Sequence, residues 1–319
     1  MKDAGNIDRR SLLVPGVCIL LLIGFPFFFF GGPGYHAARS FKAFWNLGHI
    51  LFFFLATWLY LAFAGNHENR AGSRLFFFKV FFIVLLVGIV IELIQKALGG
   101  RIVDAGDIYR DGLGCVVAFV FTGSLPVTRR DYLLLVYATV GLLFMAAWPV
   151  YRSLADEQTA RNQFPLLADF ETPFERWRFG DIRQLRREQK IARHGRYGLR
   201  VQLSTATYSG TSLFYFSHDW RNYRMLHFSI YNPEKNNLTL HCRIHDTLHA
   251  QHGMRFDDRF HRRFELHSGW NDCSVALEDV QAAPATRLMD MAQVESFALF
   301  VVRQQRSRVL YLDYMYLSR

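Results

Sequence analysis

Up to about residue 150 the chain consists of long apolar runs separated by short polar breaks. Beyond that point apolar and polar residues alternate one by one. The runs at 12–30, 43–64, 74–98, 108–125 and 132–150 approach the ~20 apolar residues that a helix needs to cross a hydrocarbon core. They predict an α-helical domain with five membrane spans, the fourth carrying Arg110 and Asp111 at its start. From Phe164 onward the period is two. Leu226, Phe228 and Ile230 alternate with His227, Ser229 and Tyr231, and Leu238, Leu240, Cys242 and Ile244 with Thr239, His241, Arg243 and His245. Short alternating strands separated by Asn-Pro, Ser-Gly and His-Gly breaks predict an all-β sandwich, one face of each sheet packed on the other. Residues 151–163, polar and helix-prone, read as a linker, so the expected domains are 1–150 and 164–319.

The first run follows Lys2, Arg9 and Arg10, as the core of a signal peptide would. Gly31-Gly32-Pro33-Gly34, rather than a small-x-small cleavage site, comes after it, and four more runs follow, so it is expected to be retained. Lys2, Arg9, Arg10, Arg70, Arg74, Arg129 and Arg130 fall on one side of a five-span arrangement. By the positive-inside rule that side is cytoplasmic. The N-terminus is then inside and residues 151–319 are outside the cytoplasm. The net charge of +10 is divided about equally between the two halves. Neither half carries the basic stripe of a nucleic-acid binder. Cys242 and Cys273 lie in the exported half, where a disulfide is permitted; two buried thiols on strand faces are the alternative.

Charge inside an apolar run needs a reason, because it costs on the order of 2.5–3.5 kcal/mol on insertion scales. With the N-terminus inside, His49 lies near the outer end of span two, Glu92 and Gln95 near the outer end of span three, and Asp104, Asp107 and Asp111 at the outer start of span four. Glu92 and Gln95 share a helix face, as do the three aspartates. Asp104 and Asp107 also suit the positive end of a helix dipole, and Arg101 has carboxylates within reach, so a closed salt-bridged loop competes with a binding pocket. A Glu near a His in a low-dielectric site can act as acid or base, which makes Glu92 and His49 the catalytic candidates. Arg101 can bind a phosphate or carboxylate in two-pronged fashion.

Over residues 35–125 this set resembles the VanZ-like membrane protein family, named for a protein linked to teicoplanin resistance. The matching residues are His49, Glu92, Gln95, Gly100, Arg101, Asp104, Asp107 and Gly114. Two features depart from that pattern: Trp45-Asn46 stands where the family has Asp-Lys, and Asp111 stands where it has Asn. The resemblance implies a cell-envelope protein with an antibiotic-response theme, and no defined reaction.

The exported half resembles the galactose-binding-like jelly roll of carbohydrate-binding modules. The resembling stretches are "LLADFE" at Leu166–Glu171, "GRYGLRVQL" at Gly195–Leu203, "FELHSGWNDCSVALEDV" at Phe264–Val280 and "YLDYMYL" at Tyr311–Leu317. The resemblance implies glycan binding and a structural calcium, loosely matched by Asp169, Glu171 and Asp313. Nine of the twelve histidines follow residue 150. The run His241-x-x-x-His245-x-x-x-His249 would line a helix as a zinc site; on a strand the first two are two pleats apart. The glycan-binding candidates are His227, Tyr231, His241, Arg243 and His245, with Trp177, Trp220 and Trp270 available either for sugar stacking or for the core.

The expectation is an integral membrane envelope protein with an outward polar pocket and an exported glycan-binding domain. A membrane enzyme acting on a lipid-linked envelope precursor, with Glu92 and His49 as acid/base pair, and an envelope sensor or docking protein are the alternatives.

Overall fold

The structure, a computed structural model, describes residues 9–34, 37–64, 74–99 and 104–319. It divides into two compact units, Met1–Tyr151 and Arg152–Arg319.

The first unit is helical. It contains α1 (Arg9–Gly24), α2 (Arg39–Ala64), α3 (Arg74–Gly99), α4 (Ala105–Thr122) and most of α5 (Arg129–Gln163). Among the described residues three helices are long and apolar enough to cross a membrane: Arg39–Phe63, Arg74–Leu98 and Arg129–Gln163. The other two expected spans fall short for physical reasons. α1 is 16 residues long and gives way at Phe25–Phe28 to a 3-10 turn containing Pro26, which has no N–H to continue the helix. α4 is 18 residues long, a rise of about 27 Å, and its first two turns carry Asp107, Arg110 and Asp111. Asp104 caps α4, its Oδ1 accepting from the Gly106 amide at 2.8 Å, and Gly123 closes it in a left-handed turn (φ +64°). Gly114 permits a close approach of α4 to α2: a Cβ there would stand 2.5 Å from the Ile50 carbonyl oxygen and 2.9 Å from the Phe54 amide of α2. Phe53, Leu61, Val80, Ile91, Cys115, Ala118 and Phe119 fill the space between α2, α3 and α4.

The second unit is a sandwich of two antiparallel sheets. One has the order β2 (Leu185–Glu188), β3 (Gly198–Leu203), β10 (Arg308–Ser318), β5 (Met225–Asn232), β8 (Gly269–Ala276), with β1 (Leu166–Ala168) also on β10. The other has the order β4 (Tyr208–Leu213), β9 (Val294–Val302), β6 (Leu238–Asp246), β7 (Phe260–Leu266). Period two is obeyed: Leu226, Phe228 and Ile230 of β5 face Leu240, Cys242 and Ile244 of β6 across one core that also holds Trp220 and Phe297. A buried Leu or Phe contributes about 1.5–3 kcal/mol. Cys242 and Cys273 are free thiols on opposite sheets. Burial raises both and pushes Cys273 up to about 12, so they act as apolar filler.

Residues 152–163 are helical, the end of α5, and an ion pair ties them to the sandwich. Arg178 Nε and Nη2 donate to Asp156 at 2.9–3.1 Å and Nη1 donates to the Leu167 carbonyl at 2.7 Å. Arg178 and Asp156 are 0% and 1% exposed. Beside them Arg152 lies 3.6 Å over the Trp177 ring.

Candidate functional site

Within the helical unit the structure joins most of the expected polar residues. His49 Nδ1 lies 2.8 Å from Asp111 Oδ1, and its Nε2 lies 3.7 Å from Asp107 Oδ2. Glu92 Oε2 accepts the Asp104 backbone amide at 2.8 Å. Gln95 Nε2 turns away and donates to the Phe28 carbonyl at 2.8 Å, filling an acceptor that the 3-10 turn leaves open. Arg110 donates to Asp107 and stands 3.8 Å from Asp104. Arg101 and Gly100 lie outside the described residues. Asp111 is seated against Gly88, where a Cβ would come within 2.3 Å of its Oδ2. Glu92 Oε1 and Asp111 Oδ2 are buried with no hydrogen-bond partner among the described residues. The histidine is thus paired with Asp111 rather than with Glu92.

In the sandwich the five expected glycan contacts do not converge. His227 and Tyr231 stand on β5, on the outer face of the sheet containing β10. His241, Arg243 and His245 stand on β6, on the outer face of the other sheet. The first face is rich in aromatic rings: Trp270 opposes Tyr231 across the β8–β5 ladder, and Tyr231 contacts Tyr311. Several of its polar groups are paired with one another. His227 has Ser274 Oγ at 2.8 Å on one nitrogen and Ser318 Oγ at 2.9 Å on the other. Asp272 accepts from Arg193 and from Ser229. These two donors hold its carboxyl below the usual range.

The second face differs. Four rings run across it from β4 to β7: Tyr208, Phe300, His241 and His261, with Phe300 stacked on His241 at 5.3 Å and His241 on His261 at 5.1 Å. The alternation also places His261 on a solvent face, but it does not reveal Phe300 and Tyr208, because their strands are neighbours of β6 only through long-range pairing. Beside the row, His245 directly opposes Ser296. His245 Nδ1, Ser296 Oγ and Arg259 Nε are all buried without a hydrogen-bond partner among the described residues. Most buried polar atoms are paired in folded proteins, so such a group marks a place where a partner is missing. Burial and the neighbouring Arg243, His249 and Arg259 push His245 down to about 3, leaving the ring neutral at physiological pH. His249 belongs to another network: its Nδ1 lies 3.1 Å from Asp258 Oδ2, and Arg287 clamps Asp258 and Asp246. The His241, His245 and His249 series therefore forms no zinc site. Trp220 is core, with Nε1 donating to the Ser217 carbonyl at 2.9 Å, and Trp177 is covered by Arg152 and Arg176.

The three carboxylates expected at a calcium site are engaged with amides instead. Glu171 Oε1 accepts from Arg196 and Tyr197. Asp313 Oδ2 accepts from Arg193 and His194, and its Oδ1 from Tyr314. Asp169 Oδ1 accepts from Glu171 at 3.2 Å. Calcium takes six to eight oxygens, and oxygens already facing N–H donors do not suit it. Among the described residues no group of three His, Cys, Asp or Glu converges to hold a metal. These carboxylates close turns instead, including the left-handed positions Gly195 (φ +65°) and Tyr314 (φ +49°). Burial pushes the Asp313 carboxyl up to about 6 against the pull of its amides. A folded-state pKa above the unfolded one contributes stability that is full below about pH 4 and is lost as pH rises through 6. Asp313→Asn is expected to remove that slope. Unfolding midpoints of both proteins between about pH 4 and 7 check this, and equal slopes would refute it.

No protein-family model matches the chain, and no curated protein matches it in sequence. Solved structures with similar folds include the family 11 carbohydrate-binding module from Clostridium thermocellum in complex with a β-1,3-1,4-mixed-linked tetrasaccharide: 14% identity, TM-score 0.35, covering 48% of this chain and 94% of that one. A carbohydrate-binding module, CBM28, specific for non-crystalline cellulose shares 10% identity at TM-score 0.36, over 49% and 93% of the two chains. An exo-β-agarase shares 13% identity at TM-score 0.38, over 48% of this chain and 24% of its own. The sandwich described above rests on its own strand pairing, and these proteins are what it is similar to.

Proposed function

We propose that this chain is a membrane-anchored saccharide-binding protein of the cell envelope, with the outer face of the β4–β9–β6–β7 sheet as its binding surface. One observation carries the choice of face. The row Tyr208, Phe300, His241 and His261 is flanked by recessed atoms of His245, Ser296 and Arg259 that have no hydrogen-bond partner among the described residues, whereas His227, Ser229 and Asp272 of the opposite aromatic face are each hydrogen-bonded to a neighbour. Sugars pair apolar ring faces with hydroxyl groups, so a binding surface needs flat rings beside unfilled donors and acceptors.

In this proposal the helical unit is VanZ-like. It spans the membrane with the N-terminus inside and the sandwich exported; with the short helices α1 and α4 crossing alongside the three long ones, as the five apolar runs suggest, its polar cluster faces outward. The ordered set His49, Glu92, Gln95, Asp104, Asp107 and Gly114, with the contacts of His49 and Glu92 given above, supports it. The full chain in lipid nanodiscs, applied to an array of neutral and acidic glycans, is expected to be retained. No retention on any glycan would overturn the saccharide reading. A reporter fused after Arg319 is expected to be active only outside the cytoplasm, and a cytoplasmic signal would overturn the topology.

A further inference from the structure

The saccharide reading leaves the ligand's chemistry open, and the charge on the β4–β9–β6–β7 face narrows it. Three arginines bear on this face. Arg243 stands on β6, where it opposes Ala298 and His261. Arg263 stands on β7, where it opposes His241. Arg259 lies one residue before β7. They surround one patch: Arg243 and Arg259 both act on His245, and Arg259 and Arg263 both act on His261. Arg259 also interacts with Tyr208 and stands 5.0 Å over Phe256, at the rim.

Two carboxylates lie on or beside the same face. Glu265 is engaged by Thr239, whose hydroxyl donates to it at 2.7 Å. Glu295 stands 3.8 Å from His245 Nε2. The histidines add no opposing charge: burial, the largest cause for each, lowers His241, His245 and His261. The patch is therefore cationic through its arginines at neutral pH. Arg259 Nε and Ser296 Oγ are hydrogen-bonding atoms without partners in it, and a guanidinium presents a planar fork that matches an oxyanion.

Building on the saccharide reading, we infer that the glycan held by this face is acidic, with a carboxylate or sulfate group seated among Arg243, Arg259 and Arg263 while its rings lie along Phe300 and His241. Neutral sugars would leave the guanidiniums of Arg259 and Arg263 facing a ligand that offers them only hydroxyls. An oxyanion satisfies the guanidinium fork and the Ser296 hydroxyl together.

The test uses the full chain in phosphatidylcholine nanodiscs and three probes: hexagalacturonate, its carboxyl-reduced neutral counterpart, and a sulfated chondroitin hexasaccharide. An acidic probe is expected to bind at least about tenfold more tightly than the neutral one, and to weaken as sodium chloride is raised, since screening shortens the reach of charge. Preference between the uronate and the sulfated probe identifies the oxyanion. Arg263 is exposed, so its replacement spares the core. Arg263→Gln is expected to weaken the acidic probe about tenfold and the neutral one far less, with Arg263→Lys restoring most of the loss. Equal binding of acidic and neutral probes, or an equal effect of Arg263→Gln on both, would overturn the inference. If the glycan array retains only neutral sugars, the acidic ligand falls while saccharide binding stands; if it retains nothing, the saccharide reading falls as well.

Discussion

Asp156→Ala is expected to destabilise the sandwich unit by about 3–5 kcal/mol, the cost of breaking a buried ion pair by removing one partner. Arg178 is 0% exposed, and three of its contacts reach one carboxylate. After truncation the Leu167 carbonyl is the one hydrogen-bond acceptor that remains to it among the described residues. A guanidinium cannot shed its proton to escape, so the desolvation cost stands uncompensated. The double variant Asp156→Leu/Arg178→Met removes both charges and keeps much of the volume, and such replacements are often close to neutral. It is therefore expected to recover most of the loss. Urea unfolding followed through the buried Trp220 would measure both. A double variant as unstable as the single one would show that the pair is not what holds the end of α5 to β1.

His49→Leu is the second large effect, expected to cost the helical unit about 1–3 kcal/mol, the penalty of leaving a buried acceptor without its hydrogen bond. It leaves the Asp111 carboxylate, 1% exposed, with no partner for either oxygen among the described residues. Asp111→Asn should be mild by comparison, since an amide oxygen can still face His49 Nδ1 at the same distance and no charge is buried. Asp111→Leu should be tolerated less well than Asn, because the seat against Gly88 is narrow: a Cβ on that glycine would already meet the carboxylate. Thermal unfolding in detergent ranks the three. If Asp111→Asn proves as damaging as His49→Leu, the charge itself is needed, and the tie between α2 and α4 is more than a hydrogen bond.

The apolar runs and the period-two segments were enough to place the helices and strands, because both signals are local. What they missed is set by partners distant in sequence. The run at 108–125 reads as a full span although its first turns are polar; those turns are stabilised by His49 of α2 and by Glu92 of α3. Alternation told which residues of β5 and β6 point outward. It did not tell that β5 joins β10 and β8 while β6 joins β9 and β7, so five candidates read as one groove divide between two opposite faces. Asp156 falls in the stretch that reads as a linker, and only the fold reveals Arg178 beside it. Asp169, Glu171 and Asp313 were recognised as important carboxylates, but one dimension does not distinguish an oxygen facing a cation from one facing an amide.

The account turns on which face of the sandwich takes the ligand. The direct measurement is the affinity of the full chain, in nanodiscs, for a glycan retained on the array, compared between Phe300→Ala and Trp270→Ala. Phe300→Ala removes the ring stacked on His241 and is expected to weaken binding at least about tenfold, in line with the ~0.5–1.5 kcal/mol of an aromatic contact plus the area it buries. Trp270→Ala, on the opposite face, should leave affinity unchanged. Loss of binding in Trp270→Ala with none in Phe300→Ala would contradict the assignment and place the site on the sheet of β5, β8 and β10.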